Sequence, residues 1–98
     1  MKRELEGICS VLRECREKLE HDYGVRAVGI FGSWVRGEQS PSSDLDVLVE
    51  IIRAISLLEL VGVEIYLSEK LGMEVDVVPR RSLREELRET ILRETIAL

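Results

Sequence analysis

The sequence is poor in aromatic residues and cysteines and has a single histidine. Only 4% of its 98 residues are aromatic, and its two cysteines are Cys9 and Cys15. Six positions apart on a predicted helix, these thiols lie roughly 240° apart around its axis, so they cannot pair with each other there. A disulfide framework is excluded, and two free thiols are typical of a reducing compartment.

No segment has the features of a signal peptide or of a membrane span. Glu4 and Glu6 interrupt the N-terminal stretch in which a signal peptide would carry its apolar region. The longest apolar candidate is broken by Glu59 and Glu64, well short of the ~20 residues that cross a bilayer. We therefore expect a cytoplasmic protein with no membrane partner.

Acidic residues outnumber basic ones by 19 to 14, which gives a net charge of -5. This balance repels duplex phosphates, so nonspecific nucleic-acid binding is disfavoured. With 45% hydrophobic and 34% charged residues, the composition is that of a globular chain. The length predicts one domain over residues 1–98.

Apolar periodicity predicts an α/β (α+β) fold, a small mixed sheet of three to four strands with helices packed on it. Capping boxes at Ser56/Glu59 and Ser82/Glu85 mark the starts of the two later helices. The predicted order is a helix from about Lys2 to His21, a buried strand Val25–Phe31, a turn or short helix and then a loop over Gly32–Ser43, a strand Leu45–Ile51, a helix Leu57–Leu71, a strand Met73–Val78, a helix Leu83–Arg93 with Leu83, Leu87 and Ile91 buried, and a short edge strand Thr95–Leu98.

Three carboxylates fall on the second and third predicted strands. Asp44 and Asp46 are two residues apart, so their side chains share a face of the sheet. Two converging carboxylates repel, which favours a protonated form or a cation, and Mg²⁺ is a hard ion that takes such ligands. Asp76 lies among apolar neighbours, where a free acid would need a partner. If the strands are neighbours, Asp76 faces the pair and completes a site for two metal ions.

A turn with the features of a phosphate site follows the first strand. Gly32 and Ser33 offer backbone amides and a hydroxyl, and Arg36 can donate two hydrogen bonds to a phosphate. Each of these features alone is common in structural roles, but their order and spacing favour a site for a nucleoside triphosphate and metal. The Walker type of phosphate loop is absent from the sequence.

These residues resemble a known family. Gly32-Ser33, ten intervening residues, Asp44-Leu45-Asp46 and a later strand with Asp76 form the signature of the DNA polymerase beta-like nucleotidyltransferase superfamily. Gly32-Ser33-Trp34-Val35-Arg36-Gly37 and Ser43-Asp44-Leu45-Asp46-Val47-Leu48-Val49 are similar to its smallest members, the minimal nucleotidyltransferases or MntA-type antitoxins. The resemblance covers about three quarters of the chain.

The resemblance implies transfer of AMP from ATP to a hydroxyl, with release of pyrophosphate. It also implies an antitoxin that silences a HEPN-type ribonuclease toxin by modifying a toxin tyrosine. By position, Gly32 and Ser33 would hold the triphosphate, with Arg36 a further phosphate contact. Asp44 and Asp46 would bind two Mg²⁺ ions, and Asp76 would complete the metal site and act as general base.

Three questions remain open from the sequence. The chain is either a catalyst or a non-catalytic module that occludes a toxin surface, and a catalyst could instead modify a small molecule or an RNA end. The surplus of apolar residues between Ile55 and Leu71 indicates either a helix buried in its own domain or an interface with a partner or a second copy. The basic stretch from Arg80 to Arg84 is either a solvated helix start or a contact for nucleotide or an acidic partner.

Overall fold

The computed structural model describes residues 4–98. Helices and strands alternate along this range in the predicted order, and the α/β fold class is confirmed. The elements are α1 (Leu5–Lys18), which continues as a π-helical turn (Leu19–Tyr23), β1 (Val25–Phe31), α2 (Ser33–Arg36), β2 (Leu45–Ile51), α3 (Leu57–Leu71), β3 (Val75–Pro79), a 3₁₀ turn (Arg80–Ser82), α4 (Glu85–Glu94) and β4 (Ile96–Ala97).

The four strands form one mixed sheet in the order β3-β2-β1-β4. β1 pairs antiparallel with β2 and with the short β4, whereas β2 and β3 run parallel. The β2–β3 pairing sets Leu45 opposite Val75 and Asp46 opposite Asp76. Parallel pairing requires a crossover, which α3 supplies.

The first helix ends where the sequence predicts a stop. Gly24 adopts the left-handed conformation, with φ 70°, and its N–H donates to the carbonyl of Leu19. Arg53 covers this helix end, because its guanidinium donates to the backbone carbonyls of Glu20, His21 and Asp22. A cation on the last carbonyls offsets the negative end of the helix dipole. The predicted beginning of this helix at Lys2 lies outside the described residues.

The two faces of the sheet are packed differently. Leu45, Val47 and Val49 of β2, and Val75 and Val77 of β3, are buried in the core under α1 and α3. The residues that alternate with them face the other side, where Phe31, Leu48 and Leu83 form a smaller cluster beneath α4. Side chains alternate along a strand, so this second face also receives Asp46 and Asp76.

α3 is tied to the edge of the sheet through polar side chains. Its predicted capping box is confirmed, because the Ser56 hydroxyl accepts from the N–H of Glu59 and the Glu59 carboxylate accepts from the N–H of Ser56. Ser68 Oγ accepts from the N–H of Val75, and Glu64 Oε2 accepts from the N–H of Val77 at 2.8 Å. These bonds satisfy amides that an edge strand would otherwise leave open to pairing.

The start of α4 differs from the prediction. Ser82 belongs to the 3₁₀ turn after Pro79 and caps no helix, since α4 begins at Glu85 after an extended Arg84. Leu83 is buried as predicted, but it precedes the helix, and Leu87 is 49% exposed. The early turn therefore shifts the helix register and leaves Leu87 outside the small cluster. β3 likewise begins at Val75, two residues later than predicted.

Within residues 4–98, the helices are all too short or too polar to cross a membrane.

Candidate active site

The predicted meeting of the carboxylates on β2 and β3 is present. Asp46 and Asp76 occupy the same register position on the two parallel strands, so their side chains leave the same face of the sheet side by side. Asp44 lies one residue before β2 and is exposed. The crossover through α3 thus brings together acids that are thirty residues apart in the sequence.

The pKa of Asp46 reflects its surroundings. Burial, followed by the negative charges of Asp76 and Asp44, raises this pKa from 3.8 to about 6. The positive charge of Arg36 opposes the shift. Asp46 is half-buried, whereas Asp76 is exposed. The expectation that Asp76 needs a partner among its apolar neighbours was therefore wrong, because the residues on either side of it point to the opposite face and Asp76 itself is exposed to solvent. Asp46 is therefore the acid whose ionised form is disfavoured by its surroundings.

Gly32 brings the turn after β1 against Asp46. Its φ is 85°, a region that L-residues rarely adopt, and a Cβ at this position would lie 2.1 Å from Asp46 Oδ2. Ser33 is half-buried at the start of α2. Position 32 therefore requires glycine because the Asp46 carboxylate lies against its backbone, whether or not a phosphate also approaches it.

Arg36 is exposed at the end of α2 and already contacts two carboxylates. Its Nε donates to Glu38 at 2.8 Å, and its Nη1 lies 3.1 Å from both carboxylate oxygens of Glu94. The hydrogen bonds that Arg36 donates to Glu38 and Glu94 raise its pKa. A phosphate that engages Arg36 must share the guanidinium with these acids.

Glu94 is the residue at this site that the sequence analysis missed. Its carboxylate lies next to Arg36 and also accepts a hydrogen bond from the N–H of Gly32 at 2.8 Å. Only 20% of the Glu94 side chain is exposed. In the sequence it is one of several acids on an amphipathic helix, and its spacing from Gly32 carries no recognisable signal.

The carboxylates do not form a complete metal cage. Among residues 4–98, no group of three or more Asp, Glu, His or Cys side chains is arranged to hold a metal ion. Mg²⁺ is commonly held by one or two carboxylates, with substrate phosphates and water as its other ligands. Asp46 and Asp76 therefore match a metal that is shared with a nucleotide better than one held by protein alone.

A cleft of about 480 Å³ lies near Asp44 but on a different side of the sheet. It is lined by Trp34, residues 39–43 and residues 72–74. Trp34 and Met73 pack against the core under α1 and α3, whereas Asp46 and Asp76 face away from that core. The carboxylate pair thus lies outside this cleft, on the open part of the α4 face.

The apolar surplus of α3 is exposed. Leu57 and Leu58 are 78% and 83% exposed, and Val61 and Ile65 are 44% and 56% exposed. The helix buries only Val63, Leu67 and Leu71 against its own core. Within residues 4–98, the chain's own packing therefore does not account for these four apolar side chains, which we call the α3 apolar face.

Comparisons with known proteins show the family to which the chain belongs. The family model of the nucleotidyltransferase domain matches residues 11–98, so the chain belongs to this family. The chain is 42% identical over 92 residues to the protein adenylyltransferase MntA of Thermococcus cleftensis, a match that covers 94% of this chain and 93% of the relative. The predicted resemblance and the predicted class of enzyme, a nucleotidyltransferase, are confirmed.

Solved structures give the same fold. A minimal nucleotidyltransferase is 38% identical, with a TM-score of 0.78, and the match covers 98% of this chain and 97% of that one. A toxin-antitoxin complex with AMP-PNP contains a chain that is 24% identical, with a TM-score of 0.65 and coverage of 83% of this chain and 67% of that one. The second likeness shows the fold alone.

Proposed function

We propose that this protein transfers AMP from ATP to a hydroxyl of a partner protein and thereby acts as an antitoxin. The observation that supports the proposal is the position of the Asp46–Asp76 pair beside the Gly32–Ser33 turn. We propose these acids as metal ligands and the turn as the phosphate site. The similarity to a protein adenylyltransferase over 94% of this chain supports a protein as the acceptor. The acceptor we propose is a tyrosine of a HEPN-type toxin, and the fold shared with a toxin-antitoxin complex is consistent with this partner.

The donor set of the site fits Mg²⁺. Burial and then the charges of Asp76 and Asp44 raise the pKa of Asp46, and a cation bound to these carboxylates would offset both effects. Asp44, Asp46 and Asp76 would hold up to two ions together with the triphosphate. Such ions supply positive charge to the phosphates and lower the pKa of the acceptor hydroxyl.

The chain's own residues have separate parts in the proposed reaction. Ser33 and the Gly32 turn orient the triphosphate, and Arg36 adds positive charge at its edge. Asp76 accepts the proton of the acceptor hydroxyl, and its exposure lets a protein side chain reach it. The hydroxyl oxygen then bonds to the α-phosphorus, the bond from this phosphorus to the bridging oxygen breaks, and pyrophosphate leaves.

The experiment follows label from ATP into a HEPN-type toxin that is supplied as the candidate partner. With Mg²⁺ present, we expect ATP labelled at the α-phosphate to label the partner and ATP labelled at the γ-phosphate not to. Asp46→Asn should reduce this labelling by about 10³-fold, because it removes a charge that acts in the transition state. Glu50→Gln is the matched control, since Glu50 lies on the same face of β2 but pairs with Arg80 away from the turn.

Three outcomes would contradict the proposal. Label from the γ-phosphate would mean phosphoryl transfer. If Asp46→Asn silenced the toxin as well as the parent did, the chain would be a non-catalytic module that acts by occlusion. If a small molecule or an RNA end were labelled while the partner stayed unlabelled, the acceptor class would be wrong.

We further propose that the partner contacts the α3 apolar face. Leu57, Leu58, Val61 and Ile65 recur at spacings that gather them on one side of the helix, and large exposed apolar patches mark protein interfaces. Leu58→Asp should lower partner labelling at least about tenfold through loss of binding. Thr90→Asp, which introduces the same negative charge on exposed α4, should leave the labelling unchanged. The proposed interface would be contradicted if Leu58→Asp left the labelling unchanged. It would also be contradicted if a second copy of this chain occupied the α3 apolar face.

A further inference from the structure

Glu94 connects two parts of the chain that are 62 residues apart. It stands at the end of α4, and its carboxylate accepts the N–H of Gly32 at 2.8 Å while lying 3.1 Å from Nη1 of Arg36. One side chain therefore holds both ends of α2, the backbone just before it and the guanidinium at its last residue. α2 has only four residues and so has little stability of its own.

Resting on the proposed nucleotidyl transfer, we propose that Glu94 is a positioning residue for the phosphate-binding turn. It fixes Gly32 against Asp46 and orients Arg36 toward the edge of the site. This assigns Glu94 a role in the reaction without direct contact with the reacting atoms.

The burial of Glu94 distinguishes it from the other acids of its helix. Glu85, Glu86 and Glu89 are exposed, and Glu89 pairs with Arg93 on the surface. Glu94 is 20% exposed and takes a backbone amide as well as a cation. Hydrogen bonds to charged groups in partly buried settings are stronger than exposed ion pairs. The contact therefore has the strength to hold a turn in place.

This arrangement divides the roles of the turn. Because the N–H of Gly32 is taken by Glu94, Gly32 serves as the place where β1 meets Asp46, and the missing Cβ makes that approach possible. Phosphate recognition then falls to the Ser33 hydroxyl and to Arg36. The turn is held in this shape before nucleotide arrives, which reduces the entropy lost on binding.

The opposite role for Glu94 would be that of a competitor. A carboxylate on an amide and a guanidinium resembles a bound phosphate oxygen, and ATP would then have to displace it. The two roles predict opposite signs. Removing a positioning residue weakens nucleotide binding, whereas removing a competitor strengthens it.

The experiment compares Glu94→Ala and Glu94→Gln with the parent in AMP transfer to the partner. We expect Glu94→Ala to raise KM for ATP about tenfold with kcat changed less than about threefold, since the loss is in binding and not in chemistry. Glu94→Gln keeps an oxygen that can accept from the Gly32 amide but loses the negative charge that pairs with Arg36. Its KM for ATP should therefore rise only about threefold. Glu89→Ala, on the same helix, is the matched control and should leave both constants unchanged.

A second readout does not depend on catalysis. Hydrogen exchange of the Gly32 amide should become faster in Glu94→Ala, remain slow in Glu94→Gln and remain slow in Glu89→Ala. Affinity for a nonhydrolysable ATP analogue should fall in the order parent, Gln, Ala. If the parent binds the analogue but transfers nothing, the proposed function fails, and these two measurements still decide the role of Glu94.

Three results would overturn the inference. Tighter analogue binding by Glu94→Ala would make Glu94 a competitor. Equal KM, analogue affinity and Gly32 exchange in Glu94→Ala and the parent would make the contact incidental. If Glu94→Ala does not fold, a Glu94→Gln variant that folds and binds the ATP analogue as tightly as the parent would make Glu94 a purely structural residue.

Discussion

The two faces of the sheet differ in what they bury. Toward α1 and α3, β2 and β3 present an unbroken set of valines and leucines, with Leu45, Val47 and Val49 fully buried. Toward α4, the same strands begin with Asp46 and Asp76 and only then bury Leu48 and Val78. The face toward α1 and α3 is therefore apolar along its whole length. The face toward α4 is divided between a small apolar cluster and an exposed acidic patch.

This difference indicates where folding free energy and function are located. The apolar face removes large side chains from water, at about 25 cal/mol for each Å² of apolar surface. The acidic patch gathers Asp44, Asp46 and Asp76 with Glu94 nearby. Burial and then repulsion from these acids raise the pKa of Asp46. Functional sites commonly keep such unfavourable charge, because a ligand later compensates it.

The largest effect on stability should come from the apolar face. Leu67→Ala removes a fully buried side chain of α3, so we expect about 3 kcal/mol of destabilisation from lost burial and a residual cavity. Leu58→Ala is the matched control on the same helix, because Leu58 is 83% exposed. It should change the free energy of unfolding by less than about 0.5 kcal/mol.

Urea denaturation of the two variants measures this contrast. A loss for Leu58→Ala comparable to that for Leu67→Ala would mean that the α3 apolar face is covered in the free protein. Such a result would point to self-association, and its dependence on protein concentration would reveal it.

A second prediction concerns the junction of turn and acidic patch. Gly32→Ala should cost about 2 kcal/mol, since an L-residue is strained at φ 85° and its Cβ would press on Asp46. We also expect AMP transfer to be lost, because Asp46 must move. Gly72→Ala is the control for a positive φ without a close neighbour, because Gly72 has φ 68° and nothing within 4 Å. Its ψ is 29°, against -155° at Gly32, so its cost gives a lower bound for the backbone strain at Gly32.

Thermal melts and transfer rates of the two glycine variants separate the effects. If Gly32→Ala cost no more than Gly72→Ala and kept the parental rate, the close approach of Asp46 would have no functional weight. The sequence assigns Gly32 only to the expected triphosphate site. In the structure, a side chain at this position would meet the Asp46 carboxylate first.

The sequence predicted the apolar face well because this face depends on local patterns. The spacing of Ile8, Leu12 and Cys15, the apolar run of β2 and the capping box at Ser56 each determine an element from nearby residues. The pair of acids was also predictable, because alternation along strands and one assumed strand pairing bring Asp46 to Asp76. Ser82 misled the prediction, since the 3₁₀ turn after Pro79 uses the residues that a capping box would need.

The contacts between distant segments could not be predicted in this way. Glu94 meets Gly32 because β4 returns the chain to the edge of β1, and nothing in the spacing of the two residues indicates it. The exposure of Asp76 was missed for a related reason, because apolar sequence neighbours on a strand point to the opposite face. The roles assigned to Asp44, Asp46, Asp76, Ser33 and Arg36 remain predictions that the proposed experiments test.

A third and smaller effect should appear when pH changes in the absence of divalent cations. The pKa of Asp46 is about 6 in the folded chain and ordinarily 3.8, so the folded state holds this proton more tightly. The stabilisation is present in full below pH 3.8 and is lost as pH rises to about 6. Because Asp46 is partly solvated, we expect a loss of only about 1 kcal/mol.

Urea denaturation at pH 4.5 and pH 7.5 in a chelator, with Asp46→Asn beside the parent, measures this loss. Asp46→Asn should be the more stable chain at pH 7.5, by about 1 kcal/mol, and the difference should shrink at pH 4.5. If the two proteins lost stability equally between these pH values, the transition would belong to other groups.

The smallest effect on stability should come from Asp76→Asn. Asp76 is exposed, so neutralising it removes no buried charge, and we expect a change within about 0.5 kcal/mol, toward higher stability. Its effect should instead appear in its neighbour. Asp76 is the largest of the charges that raise the pKa of Asp46, so Asp76→Asn should lower that pKa below about 6, as a carbon-detected titration of the Asp46 carboxyl group would measure. Glu50→Asn on the same face should leave it unchanged. Destabilisation by more than about 1 kcal/mol, or an unmoved Asp46 titration, would show that the two acids do not share one site and that the acidic patch is two independent surface groups.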